Sequence, residues 1–356
     1  MDELVKYGLG ERFKNEATLY PELIIARVIS QSKKLYKIVA DKGEMLAEVS
    51  GKFRYESSEL FEYPAVGDFV MVSFERDDER AVIHKVLTRK SSFERTAVGV
   101  KGQRQVIAAN IDYIFICMSL NNNFNLSRIE RYLSVAYNSG AVPVIVLTKS
   151  DLCDNLDMAM AEIESASAFT DIIVTSAYDE TNEELLRYLK PGITVSFIGS
   201  SGVGKSTLVN KLAGKEIFTT SEIGKDDKGR HTTSKREMIL LPGGAILMDT
   251  PGMRELGVES VNLSASFADI DELAKQCKFS NCTHNKEPGC AVLKAVDEGI
   301  LDVRRLENYI KLKKEAKYDG LSSKEIETEK SEEMFKDVGG MKGVKKHLKE
   351  NNKRKY

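Results

Sequence analysis

A glycine-rich segment near the middle of the chain has the residue types and spacing that phosphate groups require. Gly199 and Gly204 are separated by four residues, and Lys205 and Ser206 follow directly. The glycines let successive backbone N–H groups face one anion, and a following helix adds its N-terminal partial charge. In this pattern the lysine reaches the β- and γ-phosphates and the serine ligates Mg²⁺. The segment predicts a nucleoside triphosphate site formed by Gly199, Ser200, Ser201, Gly202, Val203, Gly204, Lys205, Ser206 and Thr207.

A second segment could complete the phosphate end of this site. Asp249 ends an apolar run, and Gly252 follows it after Thr250 and Pro251. An acid at a strand end near a phosphate loop holds Mg²⁺ directly or through water, and the glycine N–H can contact the γ-phosphate. By itself the Asp-x-x-Gly pattern would mark an ordinary turn. It indicates a Mg²⁺ and γ-phosphate site only together with the phosphate loop upstream.

A third segment could read the base. Thr148, Lys149, Ser150 and Asp151 resemble the Asn-Lys-x-Asp signature of GTPases. A carboxylate at Asp151 can accept both the ring N–H and the exocyclic amine of guanine, which adenine does not offer, and the Lys149 stem would lie along the base. Ser176 and Ala177 match the partner loop whose backbone N–H binds the guanine carbonyl. Thr148 replaces the usual asparagine, so we expect a weaker loop-bracing bond there.

The polar segment 224–234 lies where a switch loop belongs. A switch threonine closes on Mg²⁺ and the γ-phosphate; Thr232 and Thr233 are both candidates, and we favour Thr232. Magnesium is thus expected at Ser206, Thr232 and Asp249. Where Ras-type GTPases place a water-orienting glutamine this chain has Met253, so we expect slow intrinsic hydrolysis. His231 is the nearest polar candidate for that role, and an ordinary surface histidine is the alternative.

Four metal-ligating side chains cluster further along. Three thiols and one imidazole lie at close spacing, as Cys277, Cys282, His284 and Cys290. Structural Zn²⁺ sites take such sets tetrahedrally, with no position left open to water. Packed cysteines are the alternative for any two of them, but four ligands at this spacing favour one structural zinc ion. Cys117 and Cys153 have no ligand partner nearby in sequence and are expected to be packing residues.

Two patterns of secondary structure would position these residues. Residues 1–90 are interpreted as all-β, with five short strands typical of a small closed barrel such as an OB-fold. The expected barrel strands are 23–29, 35–39, 45–49, 69–72 and 81–87. Residues 85–95 are polar and basic and are interpreted as a linker. Basic and aromatic residues interleave in the barrel, at Lys33, Lys34, Tyr36, Lys52, Arg54 and Tyr55. Such residues suit RNA binding, although a solvated charged face would look the same.

From residue 105 strands and helices alternate, which predicts a mainly parallel sheet with helices on both faces and a site at the strand ends. The expected strands are 111–120, 142–147, 172–174, 193–198, 235–241 and 245–249, and the expected helices are 126–137, 156–168 and 182–189. The fold class is therefore α/β, with three domains: a barrel over 1–90, a nucleotide domain over 91–260, and a helical metal-binding domain with a basic tail over 261–356.

Composition limits the setting in which the protein works. A chain of 356 residues with 42% hydrophobic and 30% charged residues is typical of globular proteins with more than one core. No basic start precedes an apolar stretch, and the longest apolar run is too short to span a bilayer, so no membrane partner is expected. Five cysteines without export features favour the cytoplasm. A net charge of −2 means that any nucleic-acid affinity must come from local patches.

The order of the motifs differs from that of Ras-type GTPases. There the phosphate loop comes first and the guanine-reading segments last; here Thr148–Asp151 and Ser176–Ala177 precede the phosphate loop. The order indicates a circular permutation, in which the same sheet is opened at another loop. With its barrel, permuted motifs and cysteine cluster, the chain resembles the bacterial small-ribosomal-subunit-dependent GTPase family over about residues 20–310. The resemblance implies a GTPase that is active in subunit maturation, stimulated by the small ribosomal subunit, bound to rRNA and carrying zinc.

Three classes of function remain to be separated. The first is a monomeric hydrolase that converts GTP to GDP as an assembly switch. The second is a P-loop kinase or ATPase, which the guanine-reading pair argues against. The third is an RNA-binding protein that uses GTP only structurally, without significant turnover.

Overall fold

The computed structural model of the chain describes residues 2–32, 35–74, 80–96, 103–121, 124–167, 170–176, 178, 182–217, 236–249 and 266–317. The strands are β1 (Ile24–Ser32), β2 (Leu35–Ala40), β3 (Gly43–Val49), β4 (Phe69–Phe74), β5 (Arg80–Val86), β6 (Ser92–Thr96), β7 (Arg104–Ala109), β8 (Tyr113–Ser119), β9 (Val142–Thr148), β10 (Asp171–Val174), β11 (Thr194–Ile198), β12 (Arg236–Leu240) and β13 (Ile246–Asp249). The helices are α1 (Asp2–Lys6), α2 (Glu11–Ala17), α3 (Gly51–Glu56), α4 (Leu126–Ser139), α5 (Leu156–Ala166), α6 (Glu183–Leu186), α7 (Lys205–Ala213), α8 (Ala268–Ala274), α9 (Ala291–Asp297) and α10 (Val303–Lys317). Short 3₁₀ turns lie at Leu60–Glu62 and Ser150–Leu152.

Five strands near the N-terminus close into a barrel, as predicted. They pair in the order β1-β2-β3-β5-β4, and β4 returns to pair with β1. Inward-facing Val28, Ile38, Val70 and Ile83 are fully buried. Tyr36, one of the residues interpreted as suited to RNA binding, is buried with them at 3% exposed, so its ring is not available to stack on a base. Closure leaves no free edge within the barrel, and the apolar face of each short strand is covered by the others.

The prediction that residues 1–90 are all-β was wrong for three helices. α1 and α2 precede the barrel and α3 lies between β3 and β4. Leu4 and Phe13 are buried against the barrel, and the Phe13 ring lies 4.2 Å from that of Phe69, centroid to centroid. Each helix has at most seven residues, so tertiary packing rather than helical periodicity stabilises it.

The nucleotide domain has the alternating architecture that the sequence predicts. Strands β10, β9, β8, β11 and β13 are parallel and adjacent in that order, and β12 joins β13 antiparallel. The carboxyl ends of the five parallel strands therefore meet at one edge of the sheet, where ligands bind in α/β proteins. β12 also pairs with β1, with Ser30 opposite Glu237. This pairing joins the barrel strands and the nucleotide-domain strands into one continuous hydrogen-bonded sheet.

Besides the β1–β12 pairing, the Arg27 side chain provides a second link between the barrel and the nucleotide domain. Its guanidinium, 1% exposed, donates to the Gly67 carbonyl at 3.1 Å and the Thr194 hydroxyl at 3.0 Å, and also to the Tyr7 carbonyl. Burial lowers its pKa to about 10. Because Thr194 begins β11, this buried cation fixes the barrel against the strand that leads into the glycine-rich loop.

The predicted linker 85–95 is largely structured, which corrects that interpretation. Its start belongs to β5, and its end belongs to β6, which pairs with β7 as a separate hairpin. Phe93 and Ile107, one from each hairpin strand, are buried in the main core. Polar residues that suggested a linker are bonded within the fold: Arg89 donates to the buried Asp68 at 2.8 and 2.7 Å, and the Ser91 hydroxyl donates to the Ile111 carbonyl at 2.7 Å.

Residues 266–317, here called the C-terminal helical unit, contain α8, α9 and α10. They enclose a small core of their own around Phe267, Ile270, Val292, Leu306 and Leu312. Among all the described ranges, no helix combines the length and apolar character needed to cross a membrane.

Candidate functional site

The glycine-rich loop lies at the carboxyl end of β11, in the middle of the parallel sheet. β11 is buried throughout, and α7 begins at Lys205. Gly199 and Gly204 have φ of +147° and +96°. A Cβ at Gly199 would lie 2.4 Å from the Cys117 carbonyl oxygen of β8. Glycine is therefore required where the loop leaves the strand.

The loop and the end of β13 face one small cleft. Its lining is Phe197, Lys205, Ser206, Val209, Leu247, Met248 and Asp249. The Lys205 ammonium donates to the loop's own carbonyls, at 2.7 Å to Gly199 and 2.5 Å to Ser200. Two of the predicted magnesium residues, Ser206 and Asp249, thus line the same cleft as the predicted phosphate-binding lysine. A hydroxyl and a carboxylate are oxygen donors of the kind that Mg²⁺ takes.

Thr148 and Lys149 hold the loop from the end of β9, which β8 separates from β11 in the sheet. The Thr148 hydroxyl donates to the Val203 carbonyl, and the Lys149 ammonium donates to the Gly202 carbonyl at 2.8 Å. Lys149 has a left-handed φ of +58°, which directs its stem back over the loop. The bracing bond that we expected to be weakened by threonine is present.

Asp151 and Ser176 meet at the same edge of the sheet. The Ser176 hydroxyl donates to an Asp151 carboxylate oxygen at 2.6 Å and accepts from the Tyr178 N–H at 3.2 Å. The segment before Ser176 is fixed by the Thr175 N–H, which donates to the Leu147 carbonyl at 2.8 Å. The predicted base-reading residues on two loops are therefore in direct contact, with the Asp151 side chain exposed to solvent.

Several predicted site residues lie outside the described residues. They are Lys33, Lys34, Ala177, His231, Thr232, Thr233, Thr250, Pro251, Gly252 and Met253.

The four predicted metal ligands come together in the C-terminal helical unit. One ligand atom from each of Cys277, Cys282, His284 and Cys290 lies within 4.8 Å of all the others. His284 presents Nδ1, at 3.5 Å from the Cys290 sulfur and 3.7 Å from the Cys277 sulfur. Three thiols and one imidazole converging in this way match the donor set of a structural zinc site.

The electrostatics of this cluster suit a cation. Burial lowers the pKa of His284, which favours the neutral imidazole that a metal needs. Burial opposes ionisation of Cys277, but N–H groups of Val292 and Ala291 at the start of α9 outweigh it and lower the pKa of the thiol. The helix N-terminus therefore stabilises a thiolate at the cluster.

One contact at the phosphate loop was not predicted. The Arg128 guanidinium of α4 donates to the Ser200 hydroxyl at 2.9 Å. Asn125 caps α4, because its side-chain oxygen accepts from the Arg128 N–H at 2.9 Å. The cap was readable in the sequence, since asparagine precedes the helical run, but the partner of Arg128 was not.

A buried ionic cluster, also unpredicted, joins α4 to the C-terminal helical unit. Glu130, 2% exposed, accepts from Arg305 and from Asn308. Arg305 also forms two 2.8 Å bonds to Asp269 and one of 3.0 Å to the Ser266 carbonyl. Burial raises the pKa of Glu130, and the Arg305 charge opposes that rise.

Comparison with known proteins gives consistent matches. A family model described as RsgA GTPase matches residues 86–259. The small ribosomal subunit biogenesis GTPase RsgA 2 of Lactiplantibacillus plantarum is 46% identical over 96% of this chain and 97% of its own length. The crystal structure of YjeQ from Thermotoga maritima superposes with a TM-score of 0.60 at 27% identity, covering 83% of this chain and 98% of that one. YloQ, described as a circularly permuted GTPase, gives a TM-score of 0.58 at 24% identity over 83% and 95% of the two chains, which supports the permuted fold.

Proposed function

The chain belongs to the RsgA GTPase family, and from that premise we propose that it hydrolyses GTP to GDP and phosphate as a switch in late maturation of the small ribosomal subunit. One observation carries the proposal. The guanine-reading segment braces the phosphate loop through the bonds from Thr148 and Lys149. Two motifs recognised separately in the sequence are thus hydrogen-bonded to each other at one sheet edge, in permuted order, which supports a single site.

Guanine selection is assigned to Asp151. Its carboxylate would accept the ring N–H and the exocyclic amine of guanine, while Ser176 holds the carboxylate in place and Ala177 supplies a backbone N–H to the base carbonyl. A site that depends on paired polar contacts rejects adenine strongly, since its own groups would be left unpaired. Lys149 would cover one face of the base.

Phosphate binding is assigned to the loop and Lys205. On binding, Lys205 would leave the Gly199 and Ser200 carbonyls and donate to phosphate oxygens. Ser206, Asp249 and Thr232 would hold Mg²⁺, which neutralises phosphate charge when bound. The Gly252 N–H would contact the γ-phosphate. These residues bind and orient the triphosphate.

Slow intrinsic turnover follows from Met253, whose side chain cannot hydrogen-bond the attacking water. We propose His231 as the group that orients this water, in agreement with the frequent use of histidine in proton transfer. Docking on the small subunit would then complete the site, so that hydrolysis is stimulated there.

Two surfaces are proposed for rRNA, with the nucleotide domain between them. On the barrel, α3 presents Tyr55, 92% exposed, beside Lys52 and Arg54; an exposed aromatic ring next to cations can stack on a base. The second surface is the C-terminal helical unit, whose fold one structural Zn²⁺ would stabilise. The protein is expected to act as a monomer in the cytoplasm.

GTP turnover measured with and without purified small ribosomal subunits tests the proposal. We expect slow release of phosphate by the protein alone and a clear increase with subunits. The Lys205→Ala variant serves as control, because loss of the ammonium should abolish both rates. Met253 also favours the second candidate, a GTP-binding RNA-binding protein without turnover. Nucleotide binding with no release of phosphate under either condition would support that candidate and contradict the hydrolase.

A further inference from the structure

Ser200 of the phosphate loop is held by two cations through two different atoms. Its carbonyl oxygen accepts from Lys205 at 2.5 Å, and its hydroxyl accepts from Arg128 at 2.9 Å. Lys205 belongs to the loop's own helix, whereas Arg128 lies in the first turn of α4. Any change in the position of Ser200 therefore acts on α4.

The same helix is attached to the C-terminal helical unit. Glu130, two residues after Arg128, lies in the buried cluster with Arg305 and Asn308. One turn further on, the Ser134 hydroxyl donates to the Ser266 hydroxyl at 2.7 Å. A continuous helix of 14 residues thus contacts the phosphate loop at its beginning and the C-terminal unit along its next two turns.

We propose that α4 couples occupancy of the phosphate loop to the C-terminal helical unit, with Arg128 as the positioning residue at the loop. This inference rests on the proposed nucleotide site. Phosphate oxygens compete with the loop carbonyls for the Lys205 ammonium, so nucleotide binding removes one of the two constraints on Ser200. Arg128 keeps the other constraint and transmits the shift of Ser200 to α4.

The helix transmits this shift because its contacts cannot yield independently. Glu130 and Arg305 are 2% and 12% exposed, and separating such a buried pair would leave two charges in the interior without their partners. A displaced α4 therefore takes α8 and α10 with it. This route does not depend on the chain connection through residues 250–265, and a ligand on the C-terminal unit would by reciprocity alter nucleotide affinity.

Hydrogen exchange of the full-length protein, measured by mass spectrometry with and without saturating GDP and Mg²⁺, tests the coupling. In the wild type we expect GDP to protect residues 199–213 and to change exchange in residues 266–317 by about fivefold, the lower end of ordinary allosteric couplings. In Arg128→Ala the change at 266–317 should disappear while protection at 199–213 remains. Arg128→Lys should restore it, since an ammonium can also donate to Ser200.

Arg187→Ala is the matched control, because Arg187 is an exposed arginine of the same domain, directly after α6. In this variant GDP should change hydrogen exchange at 199–213 and 266–317 as it does in the wild type. The coupling would be overturned if GDP changed exchange at 266–317 in Arg128→Ala as much as in the wild type, or if it changed nothing there in the wild type. Either result would leave the proposed nucleotide site intact. Absence of protection at 199–213 in the wild type would instead overturn the nucleotide site on which it rests.

Discussion

The Thr148 hydroxyl donates a hydrogen bond to the Val203 carbonyl, and this bond ties the end of β9 to the phosphate loop. Both groups are buried. In the proposed site, the end of β9 is the base-reading side and Val203 belongs to the phosphate side. Under that proposal, recognition of the base and binding of the phosphates share a structural support.

Replacing Thr148 tests this support. Thr148→Val keeps the side-chain shape but leaves the Val203 carbonyl without its donor. We expect a loss of about 1–3 kcal/mol in the free energy of unfolding and weaker GDP binding. Chemical denaturation and calorimetry measure the two effects. Thr148→Ser retains the hydroxyl and should bind GDP nearly as the wild type does; equal affinities in all three proteins would show that the bond does not shape the site.

Asp151 should select guanine. In Asp151→Asn an amide donor replaces one acceptor, so GTP binding should weaken and preference should shift toward xanthine nucleotides, whose carbonyl complements the amide. Calorimetric titration with GTP and XTP measures this shift. Asp154→Asn, at an exposed position nearby, should leave both affinities unchanged. Unaltered GTP affinity in Asp151→Asn would place the base elsewhere.

The cluster in the C-terminal helical unit should bind one Zn²⁺ per chain. Thiolate ligation contributes to folding free energy, so a strong chelator should unfold residues 266–317 while leaving the nucleotide domain folded. Metal analysis of Cys282→Ser should show loss of zinc. Cys153→Ser removes a thiol outside the cluster and should still contain one zinc ion per chain. The prediction is contradicted by folded wild-type protein that contains no zinc and in which the thiols of Cys277, Cys282 and Cys290 all react freely.

The Asp269–Arg305 pair should make stability depend on pH. Burial opposes ionisation of Asp269, but the bond and charge of Arg305 outweigh it and lower the pKa of the carboxyl below its usual 3.8. Because the pKa of Asp269 is lower in the folded state, the ionised carboxylate contributes to the free energy of unfolding, and this contribution is complete above about pH 4. The contribution is lost as the pH falls through the folded-state pKa.

Thermal unfolding across this range compares Asp269→Asn with the wild type. The variant should be less stable at pH 7, and the difference should shrink as the pH falls below about 4, where the unfolded carboxyl also protonates. Asp297→Asn, at an exposed position of α9, should show no such trend. If the stability difference between Asp269→Asn and the wild type stayed constant with pH, packing rather than charge would be responsible for it.

Docking on the small subunit should depend on the nucleotide. If the γ-phosphate orders Thr232 and Gly252, the docking surface is complete only in the triphosphate state. Pelleting with small subunits should retain more protein with a non-hydrolysable GTP analogue than with GDP. Lys205→Ala should lose this difference. Equal retention of the wild type in both states would show that nucleotide does not control docking.

The sequence by itself determined the chemistry that depends on local spacing. The phosphate loop needs glycines, a lysine and a serine at fixed intervals before a helix, and the predicted zinc site needs its four ligands within a short stretch. Likewise, Asp151 and Asp249 were recognisable because each follows an apolar strand. Strand alternation then placed the phosphate loop, Asp151 and Asp249 at one sheet edge, since parallel strands bring their carboxyl ends together.

Only the tertiary structure decided the contacts between distant parts of the chain. Arg128 and Ser200 are 72 positions apart, and Glu130 and Arg305 are 175 apart. No periodicity relates such residues, because their meeting depends on how α4 packs against the loop and the C-terminal unit. The short helices α1–α3 and the β6–β7 hairpin were missed for the same reason. Their few apolar residues, such as Phe13 and Phe93, are stabilised by a core formed from remote strands rather than by local propensity.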